Sequence, residues 1–195
     1  MTRTAVAAVA CAIAGWLLTG CGGDDAETSA EPTHTPATSE APSYDPPGGK
    51  VVYDLRVPDE HEHPAVEAYA TWQRASTIAL RERAMSDAVT EHAADGPLGV
   101  VERSLETVRE RDYVVPRRMV GRVDSVRASG RAAVVRVCLW SPTFDYHERR
   151  SGESAATSEP RWLGAEVRMT RETGQDGGWI VAGLAPRADC EGSKP

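Results

Sequence analysis

The hydrophobic pattern of this chain changes its period near Pro116, and that change is what most limits the possible folds. Upstream, between about Pro64 and Arg111, apolar residues recur every three to four positions, which is typical of amphipathic helices. Downstream they alternate with polar residues, which is typical of strands with one buried face. Helices followed by consecutive strands predict an α+β domain with the helices packed on one face of an antiparallel sheet.

Two helices are predicted ahead of the strands. The first runs from about residue 64 to residue 84 and begins at Pro64, a favourable first-turn proline. The second runs from about residue 98 to residue 111, after the turn-forming Asp95-Gly96-Pro97. Before both helices, the residues from Val51 to Val57 form a short extended segment.

Four strands in a meander are predicted for the rest of the chain. They cover residues 118–128, 131–140, 161–171 and 179–184. Ser129-Gly130 is the tight turn of the first hairpin. Along the second strand, Val135 and Val137 point to one face, and Cys138 and Trp140 point to the other. The expected sheet is therefore curved, antiparallel and four-stranded, with one apolar face toward the N-terminal helices.

The N-terminus carries an export signal. Arg3 precedes an apolar run of about fourteen residues, 5–18, which suits a signal peptide and is short for a membrane span. The closing residues Leu18-Thr19-Gly20-Cys21 resemble the lipobox of bacterial lipoproteins, in which the cysteine is acylated, for example with palmitate. The resemblance implies that Cys21 anchors the protein to the extracytoplasmic face of the cell membrane. A secretory signal without acylation and an uncleaved signal anchor are the alternatives.

The domain organisation follows from that signal. Residues 1–20 are the predicted lipoprotein signal peptide, residues 21–50 the lipidated cysteine with a linker, and residues 51–195 the folded domain. The linker has too few large apolar residues to offset its chain entropy, so it is predicted to be disordered. Of the formal charge of −7, residues 22–50 contribute −5; because Arg3 adds one positive charge, the domain carries −3. That balance argues against a nucleic-acid partner.

The predicted export makes the cysteine count informative. Cys11 lies in the signal peptide and Cys21 receives the lipid, which leaves Cys138 and Cys190 in the domain. Two cysteines in an oxidising compartment usually pair, so a disulfide between the second strand and the C-terminal tail is predicted. Two buried thiols that never meet are one alternative. A catalytic thiol is another, although no histidine pattern accompanies either cysteine.

The order of the elements resembles that of a known superfamily. A long N-terminal helix, paired long strands and the closing Gly177-Gly178-Trp179-Ile180-Val181 resemble NTF2-like (SnoaL-like, cystatin-like cone) proteins, and lipid-anchored actinobacterial members in particular. The resemblance covers roughly residues 60–190. It implies a cone with a pocket between sheet and helices, and a possible homodimer through the outer sheet faces. Some such proteins carry a strand cysteine and a C-terminal cysteine, which suits Cys138 and Cys190.

The resemblance also raises the question of catalysis. Ketosteroid-isomerase-like chemistry needs a carboxylate base and buried proton donors. The candidate groups are Asp124, Glu166, Tyr69, Tyr113 and Tyr146. Along their strands, Asp124 and Glu166 fall at the same alternate positions as Arg122 and Arg168, which are predicted to point outward. Both carboxylates are therefore predicted to be solvated or paired across strands. No catalytic residue is therefore predicted.

Aromatic residues offer a binding pocket instead of a catalytic site. The pocket-lining candidates are Tyr69, Trp72, Tyr113, Trp140 and Trp162. The competing interpretation places them, with Trp179, in the core and at its rim. His61-Glu62-His63 precedes Pro64 without a further cluster at ligand spacing, so neither a metal site nor a cofactor is predicted.

Taken together, these features favour a lipid-anchored, noncatalytic binding module at the cell envelope. Its partner is expected to be a small apolar ligand or an envelope protein, besides the membrane itself. A small-molecule isomerase or cyclase of the ketosteroid-isomerase type is one alternative. An accessory subunit of an envelope transport complex is the other.

Overall fold

The computed structural model of this chain describes residues 49–173, 177–188, 190–192 and 194–195. These residues all belong to one structural unit, which spans residues 40–195. The predicted signal peptide, Cys21 and all but the last two residues of the predicted linker lie outside the described residues. Within the described ranges, no helix has the length and apolar character that crossing a bilayer requires.

The elements follow one another in the order that the change of period predicts. The helices are α1 (Pro64–Glu82), α2 (Asp87–Thr90) and α3 (Asp95–Glu110). The strands are β1 (Val52–Arg56), β2 (Tyr113–Val114), β3 (Arg118–Ser129), β4 (Ala132–Trp140), β5 (His147–Glu148), β6 (Trp162–Arg171) and β7 (Trp179–Arg187). The α+β class is confirmed, since the helices pack on one face of a mostly antiparallel sheet.

The main sheet has five strands, so the prediction of four is wrong. Its order is β1-β3-β4-β6-β7, and the predicted antiparallel meander consists of β3, β4, β6 and β7. The additional strand is β1, which runs parallel to β3 with Val52 opposite Arg118. The sequence shows that this segment is extended but not which strand it joins, because its partner lies in a distant part of the chain. The sheet is open, with β1 and β7 at its edges, and β2 and β5 pair separately.

Local chemistry defines both ends of α1. At the start, Nδ1 of His63 accepts a hydrogen bond from the backbone N–H of Ala65 at 3.1 Å and so caps the helix. At the end, Arg83 takes a left-handed conformation with φ 57°, and its N–H bonds to the carbonyl of Ala79. Helix α1 therefore ends two residues before the predicted Ala84.

Helix α3 begins at Asp95, three residues before the predicted start. Pro97 belongs to its first turn, where the missing N–H of a proline removes no helical hydrogen bond. The sequence predicts a turn at this segment, because glycine and proline usually interrupt helices. The predicted apolar stripe is buried as expected and consists of Val101, Leu105 and Val108.

The two faces of the sheet carry separate apolar clusters. On the inner face, Val135 and Val137 are fully buried beneath α1 in the main core. On the outer face, Cys138 packs with Trp162 in a smaller cluster that Trp140 and Cys190 border. The predicted alternation along β4 is therefore confirmed.

The C-terminal tail crosses the outer face of the sheet. Cys138 and Cys190, the cysteines predicted to pair, lie at disulfide distance with their Cα atoms 5.9 Å apart. The backbone N–H of Cys190 also donates to the carbonyl of Trp162 at 3.2 Å. The tail passes so close to β6 that a Cβ at Gly164 would overlap the carbonyl oxygen of Ala188. Gly164 thus leaves the space through which the tail reaches its cysteine partner.

We expect Gly164→Ala to lower the free energy of unfolding by about 1–3 kcal/mol, because the added methyl group displaces backbone in a packed region. Urea denaturation followed by circular dichroism measures the change. Gly178→Ala is the matched control, since a Cβ at that position meets no atom within 4 Å. Equal stabilities of the two variants would contradict the close crossing of the tail.

Candidate functional site

The space between α1 and the sheet, where the family resemblance implies a pocket, is occupied by buried side chains. Tyr69 and Trp72 of α1 have 1% and 3% of their surface exposed, and they belong to the main core. Met119 and Met169 of the sheet are buried in the same cluster. Tyr69 and Trp72, which the sequence predicts to line a pocket, are therefore core residues.

A hydrogen-bonded tyrosine pair joins β1 to α1. The hydroxyl of Tyr53 donates to the hydroxyl of Tyr69 at 3.3 Å, and the two rings meet edge to face at 6.1 Å. Burial raises the pKa of Tyr69 to about 12, although the hydrogen bond from Tyr53 opposes this shift. Burial and the neighbouring phenol raise the pKa of Tyr53 well above its usual value. Both groups are therefore neutral in the folded protein, and they hold the edge strand against the helix.

This pair predicts a loss of stability in alkali. An unfolded tyrosine titrates near pH 10 and Tyr69 near pH 12, so folding favours the neutral phenol. The stabilisation is complete below about pH 10 and is lost as the pH rises toward about 12. We expect Tyr53→Phe to lose less stability over this window than the wild type, as measured by urea denaturation at a series of pH values. Identical slopes for the two proteins would contradict the burial of Tyr53 as a neutral donor.

The other predicted pocket residues lie in two further places. Tyr113 stacks on Tyr146 beside the β2–β5 pair, with ring centroids 5.9 Å apart. Trp140 and Trp162 meet edge to face at 5.5 Å on the outer face of the sheet, where they line a shallow groove of about 450 Å³. The guanidinium of Arg122 lies 5.0 Å from the Trp162 ring centroid, within cation–π range. The five aromatic residues therefore do not share one pocket.

The two candidate carboxylates are ion-paired. Asp124 accepts from Arg187 at 2.9 Å, and Glu166 accepts from Arg136, its neighbour on the adjacent strand, at 3.3 Å. Both carboxylates lie on the outer face of the sheet, whereas Tyr69 projects from α1 into the core on the inner face. The structure therefore does not bring these acids to the buried tyrosine.

His63, the residue before α1, has a structural role. Besides capping the helix, His63 places its ring 5.4 Å from that of Trp179. Among the described residues, no three histidine, cysteine or acidic side chains are grouped closely enough to hold a metal ion.

An open groove of about 560 Å³ lies beside the C-terminal half of α1. Its apolar wall consists of Val51, Ile78 and Val114. Its charged side chains are Lys50, Arg74, Arg81, Arg149 and Glu82. A volume of this size is within the range of small-molecule sites, which is about 300–1,000 Å³.

A second groove of about 330 Å³ lies along the N-terminal half of α1. Its apolar wall consists of Tyr53, Leu55, Val57, Val66 and Ala70. Glu62 and Glu67 are its acidic residues, and Arg74 lines both grooves, which therefore adjoin at that side chain. We call the two grooves together the α1–β1 trough, since its walls are the flank of α1 and the inward-facing residues of β1.

Hydrogen bonds hold two of the cationic residues of the trough. Nη1 of Arg81 donates to the carbonyl of Val115 at 2.6 Å, and Nε of Arg149 donates to Asp112 at 3.2 Å. Asp112 also pairs with Arg83, and this hydrogen bond is the main reason why the pKa of Asp112 lies below its usual value. Asp112 is therefore ionised at neutral pH and holds the loop of Arg149 against the end of α1.

Only some of the residues that line the trough can be predicted from sequence patterns. Arg74, Ile78 and Arg81 are spaced by four and three positions, which puts them on one face of a helix. That spacing is a signal that the prediction of aromatic pocket residues did not use. Lys50 and Arg149 come from distant parts of the chain, and no local pattern connects them to α1.

Comparison of the chain with protein-family models and with curated proteins finds no match. Its function is therefore inferred from the geometry and chemistry of the trough and from the sequence features of the N-terminus.

Proposed function

We propose that this protein is a lipid-anchored envelope protein whose domain binds an apolar or amphipathic small molecule in the α1–β1 trough without transforming it. The observation that carries this proposal is the trough itself, with its apolar walls along both α1 and β1. Concave sites of this kind, with a few polar groups at their ends, are typical of ligand-binding proteins.

We propose a noncatalytic role because the candidate acids are engaged in ion pairs. Asp124 and Glu166 are ion-paired with arginines, and a general base needs a carboxylate that can reach the substrate. The neutral tyrosines Tyr53 and Tyr69 bond to each other in the core. These observations favour binding over the isomerase or cyclase alternative.

A relationship to the NTF2-like superfamily is part of the proposal. The four-stranded meander, the helices on its inner face and the Gly-Gly-Trp sequence at the start of β7 support it. The parallel β1 is an addition to the expected sheet. As a proposed member of that superfamily, this protein would thus have a filled interior and a ligand site beside α1.

The proposed location rests on Leu18-Thr19-Gly20-Cys21 at the end of the apolar run. Pairing of Cys138 with Cys190 agrees with an oxidising compartment outside the cytoplasm. A lipid anchor of two or more acyl chains would keep the domain at the membrane surface.

Acylation is tested by metabolic labelling with an alkyne analogue of palmitate. We expect wild-type protein to carry the label and Cys21→Ser to lose it, because the thiol is the proposed acceptor. Cys11→Ser is the matched control and should retain the label, since it changes a cysteine inside the apolar run. Label on Cys21→Ser, or none on the wild type, would rule out the lipoprotein assignment.

Ligand binding is tested with the neutral fluorescent probe N-phenyl-1-naphthylamine and the chain from residue 22 to residue 195. We expect saturable binding that Ala70→Trp weakens at least about tenfold, because the indole fills the trough beside β1. Ala128→Trp, at an exposed position of β3, is the control and should bind like the wild type. Absent binding, or binding that both variants retain, would reject the trough as the site.

A further inference from the structure

We infer that the ligand of the α1–β1 trough is an amphipathic anion with a single apolar chain and a carboxylate or phosphate head. This inference rests on the proposed function and specifies the chemical class of the ligand. The head group lies at the end of the trough near Lys50, and the chain extends along β1 toward Val57.

The charge around the wider groove is the first argument. Four cationic side chains and one carboxylate line it, a formal surplus of three positive charges. Residues 50–195 as a whole carry −2, so positive charge is concentrated here against the average of the domain. A cleft lined by charge of one sign focuses its field and attracts ligands of the opposite sign.

The second argument is that two of these cations are uncommitted within the described residues. Lys50 and Arg74 are exposed, and no hydrogen bond or ion pair joins their side chains to another described residue. Arg81 and Arg149 are held by backbone and carboxylate partners, and they contribute to the positive potential. An anionic head group would complete the pairing of Lys50 and Arg74.

The acidic residues at the end of the trough away from Lys50 determine the proposed orientation of the ligand. Glu62 and Glu67 line the narrower groove, where they would repel an anionic head. Leu55, Val57 and Val66 form apolar walls between the two ends. Arg74 stands where the grooves adjoin, and its aliphatic stem can cover the chain while its guanidinium reaches the head. An anionic head therefore fits one end only.

The test compares three amphiphiles with the same ten-carbon chain and different heads. Decanoate, decanol and decyltrimethylammonium displace the neutral naphthylamine probe from the chain 22–195 at pH 7.5, each below its micellar concentration. We expect decanoate to bind at least about tenfold more tightly than decyltrimethylammonium, with decanol between them. An equal affinity of decanoate and decyltrimethylammonium would overturn the inference.

Charge-reversed variants locate the head group. We expect Lys50→Glu/Arg74→Glu to weaken decanoate at least about tenfold and to leave decanol unchanged. Arg103→Glu, at an exposed position of α3, is the matched control and should bind decanoate like the wild type. Lys50→Gln/Arg74→Gln, which removes the charges without reversing them, should weaken decanoate by an intermediate factor and guards against misfolding of the first variant. Unchanged decanoate binding in both double variants would overturn the inference.

These outcomes separate the two proposals. If decanol displaces the probe and Ala70→Trp abolishes binding while decanoate gains nothing over decanol, the anion inference fails and the binding module stands. If neither the probe nor decanol binds, the proposed function itself fails. Sedimentation with phosphatidylglycerol vesicles, but not with phosphatidylcholine vesicles, would identify a membrane lipid as the source of the anion. Decanoate binding without sedimentation would identify a soluble amphiphile.

Discussion

The packing of α1 across the inner face of the sheet is the constraint on which the rest of this domain depends. Tyr69 and Trp72 of the helix lie over the fully buried Val135 and Val137. Burial of one such large side chain contributes roughly 1.5–3 kcal/mol, so this layer cannot be emptied for a ligand without a large loss of stability. A ligand between α1 and the sheet would have to displace this layer, whereas the trough along the flank of the helix leaves it intact.

The edge strand β1 forms the wall of the trough opposite the flank of α1. Its parallel pairing with β3 aligns it beside α1, and the Tyr53–Tyr69 hydrogen bond ties strand to helix. Alternation along the strand then sends Leu55 toward the helix and Asp54 toward the other side, where Asp54 pairs with Arg118 at 2.7 Å. One short strand thus provides both an apolar wall of the trough and a charged outer edge for the sheet.

Most of this fold can be predicted from the sequence, because it follows from local periodicity. The helical and strand periods identify the long helices and the meander, and the parity of Cys138 and Trp140 already separates Trp140 from the inner face. The five aromatic residues do not share one pocket, because strand parity and helix packing place them on different surfaces of the fold. The position of β1 and the meeting of Lys50 with Arg149 depend on contacts between distant parts of the chain, which no local pattern specifies.

The cations near the trough divide into those with a partner in the domain and those without one among the described residues, and Asp112 holds two of the first group. Asp112, in a left-handed conformation with φ 52°, binds both Arg83 and Arg149. Arg83 lowers the pKa of Asp112 still further below neutrality, and the carboxylate offsets part of the positive charge at the end of α1. Its ion pairs are solvent-exposed, and each contributes on the order of 1 kcal/mol or less to stability. Arg81, Arg83 and Arg149 thus have partners within the domain. No hydrogen bond or ion pair joins the side chains of Lys50 and Arg74 to another described residue, and these are the two cations that the proposed anion would pair with.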